Sequence, residues 1–577
     1  VKTGILGDVR LRRTGATRLR ELWARPQLRE NGATVTLSVA VDGPERTAKF
    51  SVWHRGVMIA TALAQAGENN LAESRIPIPE PQLWWPNGLG EQPLYDAIAE
   101  CADGSDRVTT TFGLRQIRWV RRADGGPDEW PLVLEVNGRR VFQKGWNWVP
   151  ADMLGGRRAD RVMRPLLAQA CAAGANILRV WGGADPESPA FYAACDQLGL
   201  LAWQELPLCS GGMNNTPPSD AAYLARMGRY ARAVAVARRN HPSLSLWGGG
   251  NELRGDDNLP LRLDHPYAAM LREVLGQADP DRQFRPSSPL GPSFEDDPEQ
   301  PALWDVHGPW EYSERWPGAQ YWRFNAAAPI LHSEVGVPGE AAIGAQRAFL
   351  SPPHRRRDAE DPVRRHHSRW WEHRRTLDRV FGPIADDELA VLASQWLQAE
   401  ALRYVVEETR RRWPGSAGVF PWQLNEPWPM VVCTSAVEYG GTPKLAYHAV
   451  RQAYRPRIAT ARYAGLHLGP GAPVRAEIWT LNERGADDVM LQVTLTDLAG
   501  RELAPAVERR VVLVPDSSQR QLDLEMALPA GFDGVAMLGI ALDGQGNSYL
   551  FGNSQEFHLR DALSVPEVLS NMFTAQA

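Results

Sequence analysis

Two carboxylates stand out by their type and their setting. Glu252 closes LSLWGGGNE (244–252), and Glu334 lies in PILHSEVG (329–336). Each follows a short apolar run of the kind that forms a buried strand. Two carboxyl groups facing each other are what glycoside hydrolysis needs. One stays protonated and helps the leaving oxygen depart, while the other stays ionised and attacks the anomeric carbon. A separation of about 5–5.5 Å implies retention through a covalent intermediate. Other polar and aromatic residues close similar apolar runs: Asn147 and Asp152, Arg179 and Trp181, Gln204 and Glu205, Asn251, His307, and Trp422, Gln423 and Asn425. The chain also holds 22 Trp, many beside these polar residues. An indole offers a flat apolar face and one N–H, which suits the C–H face of a sugar ring.

The middle of the chain supplies the elements that must position these residues. Short apolar runs alternate there with helical segments, the pattern of βα units and a parallel sheet. Eight strands are expected at 140–146, 176–181, 200–204, 244–250, 283–288, 303–308, 329–334 and 418–423, of which the fifth has the weakest signal. Helices are expected at 160–173, 188–198, 221–239, 264–277 and 388–412. Eight such units predict a TIM barrel, the (β/α)8 fold, with its site at the C-terminal strand ends. About 80 residues separate the seventh and eighth runs and include HRRRDAEDPVRRHHSRWWEHRR (354–375). On either side the pattern changes to short alternating strands. Those at 33–43, 46–56, 93–101 and 107–113, and again at 473–482, 489–497, 508–515 and 534–542, predict two immunoglobulin-like β-sandwiches. The expected division is 1–13, 14–114 for the first sandwich, 115–458 for the barrel and 459–577 for the second sandwich.

Composition narrows the class. The chain has 577 residues, of which 44 % are hydrophobic and 23 % charged, which excludes a disordered chain or a disulfide-stapled miniprotein. No apolar run approaches the roughly 18 residues of a membrane span. A net charge of −5 gives no electrostatic reason to expect nucleic acid as a partner. Only four of the 63 basic residues are Lys, at 2, 49, 144 and 444, a matter of codon usage rather than function. Cys101, Cys171, Cys195, Cys209 and Cys433 are odd in number and match no CxxC spacing, so buried free thiols are expected, with a lean toward a reducing compartment. No signal peptide is visible, and the chain opens at Val1, the expectation for a processed or truncated product.

The ordered motifs LWWPNGLGEQPLY (83–95), FGLR (112–115), FQKGWNWVPADM (142–153), NILRVWGG (176–183), FYAACDQLGLLAWQE (191–205), RNHPSLSLWGGGNE (239–252), LHSEVG (331–336) and PWQLNEPWP (421–429) resemble glycoside hydrolase family 2, nearest to its β-mannosidase-like branch. The resemblance spans about residues 1–455. It implies a retaining, exo-acting β-glycosidase with Glu252 as acid/base and Glu334 as nucleophile. It further implies Asn251 on the sugar 2-OH, and Asp152, Arg179, Trp181, His307 and Trp422, with Asn147 and Gln204, around the terminal sugar. A glycoside or oligosaccharide is the implied partner, and neither a metal nor an organic cofactor is called for. β-Galactosidases of the family carry a His-rich metal pattern after the acid/base, which is not found here. β-Glucuronidases carry an Asn-x-Lys where this chain reads LNEPWP (424–429), which argues against uronic acids. Glu205 and Glu426 would add negative charge at the mouth, leaving an amino sugar open.

Several residues carry a second reading. Asp152 could cap a helix, His307 could be a core histidine, and Arg179 could be a structural partner of Glu205 or Glu252. Trp84–Trp85 are expected to pack between domains. Trp370–Trp371 form either an aromatic wall or a packing stripe, and His366, His367 and His373 are expected on a solvated charged face. Family members begin with a jelly-roll sandwich of which VKTGILGDVRL resembles only the last strand, so a fragment, a partner-supplied module or a trimmed member is expected. The rivals are another β-glycosidase specificity (β-glucosaminide, β-galactoside) and a carbohydrate-binding protein with weak catalysis.

Overall fold

The computed structural model describes residues 9, 11–154, 157–211, 214–299, 303–313, 318–358, 360–368, 371–469, 471–552, 558–565 and 572, with the backbone alone for 157–160. Eight parallel strands form its centre: Gln143–Trp148, Ile177–Val180, Leu201–Glu205, Leu244–Gly248, Gln283–Arg285, Asp305–His307, Leu331–Val335 and Gly418–Pro421. Numbered in that order, they are hydrogen-bonded as 5-4-3-2-1-8-7-6. This is a TIM-like barrel with its seam between strands five and six. The first strand starts three residues later than its apolar run. Arg139–Val141 instead pairs antiparallel with Val133–Val136, in a small sheet packed with the barrel core. Strand five stops at Arg285 because Pro286 has no N–H to give a ladder.

Helices Arg157–Ala172, Pro189–Leu198, Ala221–Arg238 and Pro266–Ala278 follow the first four strands, and their ends are set locally. The Ser188 hydroxyl accepts from Phe191 N and the Asp220 carboxylate from Tyr223 N, satisfying amides that open each helix. Gly199 closes the second helix in the left-handed region, at φ 72°, where a side chain would be strained. Among the described residues no helix separates strands five and six, so the full (β/α)8 alternation is not kept there. The excursion after strand seven holds short helices and then the 25-residue helix Asp387–Arg411.

Two pairs of antiparallel sheets flank the barrel. The first comprises Arg18–Arg29, Gly32–Asp42 and Leu71–Ile78 against Val57–Gln65, Thr47–His54, Tyr95–Cys101 and Arg107–Phe112. The second comprises Arg457–Arg462, Val474–Asn482 and Ser517–Met526 against Glu502–Leu513, Asp487–Asp497, Val535–Leu542 and Gln545–Gly552. Each has the three-plus-four strands of an immunoglobulin-like sandwich. Trp84 is wholly buried, its indole N–H donates to Asp196 O in the barrel at 2.8 Å, and Asn87 N donates to Gly199 O. The Trp84–Trp85 stretch therefore packs between the sandwich and the barrel. Residues 1–8 and 10 and Trp370 lie outside the described residues.

Candidate active site

Glu252 follows the Gly-rich end of strand four. The glycines let the chain press against its neighbours: a Cβ on Gly249 would lie 2.3 Å from Pro286 O, and one on Gly250 2.4 Å from Leu208 O. Glu252 itself sits at φ 53°, in the left-handed region that a non-glycine residue occupies at a cost. Its amide donates to Ser288 O at 2.7 Å, which holds it in place. Glu334 is in strand seven and points to the same space. One oxygen of each carboxylate and one His307 nitrogen lie within 4.8 Å of one another.

Arg179 is the hub beneath them. It is fully buried and donates to Glu334 Oε1 at 2.5 Å, Asn147 Oδ1 at 2.8 Å, Asn251 Oδ1 at 2.6 Å and Glu205 Oε1 at 2.8–2.9 Å. The other oxygen of Glu205 accepts from Gly182 N at 2.8 Å, and that of Glu334 faces the Trp310 indole N–H at 3.2 Å. Ser210 donates to Glu252 Oε2 at 2.8 Å, and His307 Nδ1 lies 3.1 Å from Glu252 Oε1 and 3.6 Å from Glu334 Oε1. The cluster of Glu252, His307 and Glu334 has the spacing to hold a cation, but the Arg179 guanidinium already supplies positive charge against Glu334.

Burial dominates the protonation of this set. It pushes Glu334 up to about 8, with Arg179 opposing and the Glu252 and Glu205 charges adding. Burial also holds His307 near 4, so its ring is neutral at neutral pH. Glu252 goes down to about 2; burial opposes this, but the His307 contact, the Ser210 hydroxyl and Arg179 outweigh it. His307 lowers Glu252 only when its Nδ1 carries a proton, so the state of Glu252 follows the tautomer of the ring. The pair as a whole favours one proton between two carboxylates.

The residues singled out in the sequence fall into three groups. Glu252, Glu334, Arg179, Asn251 and His307 meet at the strand ends. Trp181 and Trp422 follow strands two and eight directly, are half-buried and meet edge to face at 5.6 Å. Asn147 and Gln204 do not reach the mouth. The Asn147 amide is fully used, donating to Ser333 O and Phe420 O and receiving Arg179. Gln204 accepts from Tyr192 OH and donates to Glu205 O, which turns it toward the helix layer. Asp152 is buried, accepting from Leu154 N at 2.8 Å and Tyr439 OH at 2.7 Å. The first is a turn bond and the second a tether to Tyr439. Gln423 and Asn425 hold the chain after strand eight: Gln423 Nε2 donates to Asn425 O, and Asn425 donates to Val149 O.

Two further expectations are corrected. Neither Glu205 nor Glu426 is open at the mouth, although Glu205 still acts through space on Glu334. Glu205 is spent on Arg179 and Gly182, and Glu426 on Ser435, Tyr439 N and Lys444 at 3.3 Å. His367 is not on a solvated face, since it stacks on Trp428 at 5.8 Å and binds Pro429 O, while His373 meets Ser394 Oγ at 2.9 Å. Trp371 packs on Leu350, Val431 and Val432. Sequence reasoning did not assign Trp310, Ser210 or the Ser288–Ser333–Asp305 set. Trp310 alone carried a signal, three residues after His307.

The glycosyl hydrolases family 2 model matches residues 17–115, the first sandwich. β-Mannosidase B of Emericella nidulans is 26 % identical over 568 residues, covering 90 % of this chain and 65 % of that protein. The Aspergillus niger β-mannosidase B is 27 % identical over 559 residues, covering 89 % and 64 %. Among solved structures, β-D-mannosidase from Dictyoglomus thermophilum superposes with a TM-score of 0.78 at 23 % identity, covering 93 % of this chain and 66 % of that one. Along nearly its whole length the chain is similar to β-mannosidases. An exo-chitosanase from Amycolatopsis orientalis shares the fold too, with a TM-score of 0.74 at 19 % identity over 94 % of this chain and 64 % of that one. The chain spans less than two thirds of the length of the curated β-mannosidases it matches.

Proposed function

We propose that this protein is a retaining, exo-acting β-glycosidase that removes terminal β-linked sugars, with β-mannosides as the preferred substrate. The observation that carries this reading is the placement of Glu252 and Glu334 oxygens within 4.8 Å over a buried arginine. Oxygens that close favour a retaining pair, with carboxyls roughly 5–5.5 Å apart, over an inverting pair at about 6.5–9.5 Å.

Glu334, oriented by Arg179 and Trp310, attacks the anomeric carbon. Glu252 protonates the departing oxygen and then deprotonates the water that releases the sugar. Binding must therefore shift the shared proton onto Glu252 and leave Glu334 ionised. Arg179 and the Trp310 N–H favour this, since both donate to the Glu334 carboxylate. Asn251, fixed by Arg179, is placed for the sugar 2-OH, and Trp181 and Trp422 offer apolar faces to the ring. With Glu205 and Glu426 both paired, neither carboxylate is free to meet an ammonium, which favours a neutral hexose. The relatives named β-mannosidase support mannose among neutral sugars.

The test is hydrolysis of an aryl β-mannoside beside the β-galactoside, β-glucoside and β-glucosaminide, with Glu334→Gln as control. Turnover of the mannoside that vanishes in the variant is the expected result. No turnover of any of the four sugars would overturn the reading.

A further inference from the structure

Strands five and six share no ladder, yet polar side chains bridge the seam between them. Ser333 Oγ donates to Asp305 Oδ1 at 2.5 Å. Ser288 Oγ lies 2.9 Å from Ser333 Oγ and 2.9 Å from His307 Nε2, and His307 Nδ1 lies 3.1 Å from Glu252 Oε1. Asp305, Ser333, Ser288 and His307 are all wholly buried or nearly so, and Leu290 N also donates to Asp305 Oδ2. The hydrogen bonds thus form one unbroken line from a buried carboxylate to the acid/base carboxyl.

Each hydroxyl has one proton, and this fixes a direction. Ser333 gives its proton to Asp305. Its oxygen is then an acceptor for the proton of Ser288 at 2.9 Å, and Asp305 Oδ2 at 3.4 Å is a second acceptor for the same proton, so either way Ser288 donates toward the carboxylate. With that proton committed, the Ser288 oxygen accepts from His307 Nε2–H. A neutral imidazole carries only one N–H, so Nδ1 presents a lone pair toward Glu252. We propose that Asp305, Ser333 and Ser288 act as positioning residues that hold His307 in its Nε2–H form, so that Nδ1 accepts the proton of Glu252 and keeps it as an acid. The inference rests on the glycosidase reading above.

The surrounding charges agree with this direction. Arg285 in strand five lies between the Trp119 and Trp203 rings at 4.5 and 4.8 Å and favours an ionised Asp305. Arg179 in strand two disfavours a charged His307, as does His332 in strand seven, while Glu252 and Glu334 face the ring as the only carboxylates among the contacts described. Without the serines, Nδ1–H would donate to Glu252 and hold it ionised, the wrong state for the first step.

Two measurements test this in the whole protein. The first is the 15N signal of His307, with histidine-selective labelling and assignment by His307→Gln. The expected result is an unprotonated Nδ1 in the wild type and a protonated Nδ1 in Ser333→Ala. An Nδ1–H in the wild type overturns the proposal, whether or not any glycoside is turned over. The second is the ratio of kcat/KM on a dinitrophenyl glycoside, whose leaving group needs no proton, to that on an alkyl glycoside, which does. Ser333→Ala should raise this ratio about 10–100-fold, the range of a weakened general acid. Equal loss on both substrates means the serines only close the barrel seam, and the proposal falls. Ser288→Ala is the second variant if Ser333→Ala does not fold. A wild type inactive on every glycoside defeats the glycosidase reading while the 15N measurement still decides the relay.

Discussion

The mouth of the barrel and the long helix Asp387–Arg411 both bury carboxylates against guanidinium groups, and they do so in different proportions. On the helix, Glu400, Glu407 and Glu408 meet Arg403, Arg411 and Arg412, with Arg411–Glu408 at 2.7 Å and Arg412–Glu408 at 3.2 Å. Tyr463 and Tyr549 hydroxyls complete Glu400 and Glu407. Three acids face three bases, and Arg411 holds Glu408 below the ordinary carboxylate range despite burial. At the mouth, Glu205, Glu252 and Glu334 share one Arg179. The excess negative charge in a dry site forces a proton onto the pair. Charge balance makes one cluster a fastening between barrel and C-terminal sandwich. Imbalance leaves the other with one proton held between two carboxylates.

Breaking the mouth should give the largest effect. Glu334→Gln should lower kcat/KM on the order of 10^4-fold or more, because the covalent step is lost. The same variant reads the imbalance directly. The fold raises Glu334 from 4.5 to about 8, so its contribution to stability is full below about 4.5 and is lost as pH rises through about 8. Wild type should therefore lose stability relative to Glu334→Gln across that window, at roughly 1 kcal/mol per pH unit. Parallel denaturation curves for the two from pH 5 to 8 would remove the charge-imbalance account. Breaking the helix cluster should act on stability instead. Arg411→Met takes the guanidinium from Glu407 and leaves Glu408 with Arg412, at a cost of about 3–5 kcal/mol by chemical denaturation. Activity of the folded fraction should hold, and a selective loss of turnover would erase the distinction between the two regions.

The sequence carried the barrel because its signal is periodic and local. All eight apolar runs became strands, and the five expected helices begin and end within about three residues of their expected bounds. Glu252 and Glu334 were legible because strand ends in such a barrel face one mouth. Gln204 was misplaced for a reason of register: it neighbours Glu205, and successive strand residues point to opposite faces, so only one of them could face inward. Asn147 was placed at the mouth when it lies one layer beneath, because spacing gives direction and not depth. Ser288, Ser333 and Asp305 could not be found from sequence. They come from the segment after strand five and from strands six and seven, and what unites them is a seam that only the closed barrel creates.

A smaller change sharpens the comparison further. Glu205→Gln takes one negative charge from the mouth and brings it one step toward the balance of the helix. Arg179 would then serve Glu334 more fully, and a neighbour that raises the Glu334 carboxyl would be gone. The acid limb of the kcat/KM profile should move down by less than about one pH unit, since Glu205 acts on Glu334 only through space. The exchange also sets an amide against Gly182 N, which now donates to Glu205 Oε2 at 2.8 Å. Whichever end of the amide faces that N–H, one partner loses a bond, at about 1–3 kcal/mol of stability. A limb that stays in place while stability falls would mean Glu205 only orients Arg179. A limb that moves down would show that the mouth is tuned by its count of charges.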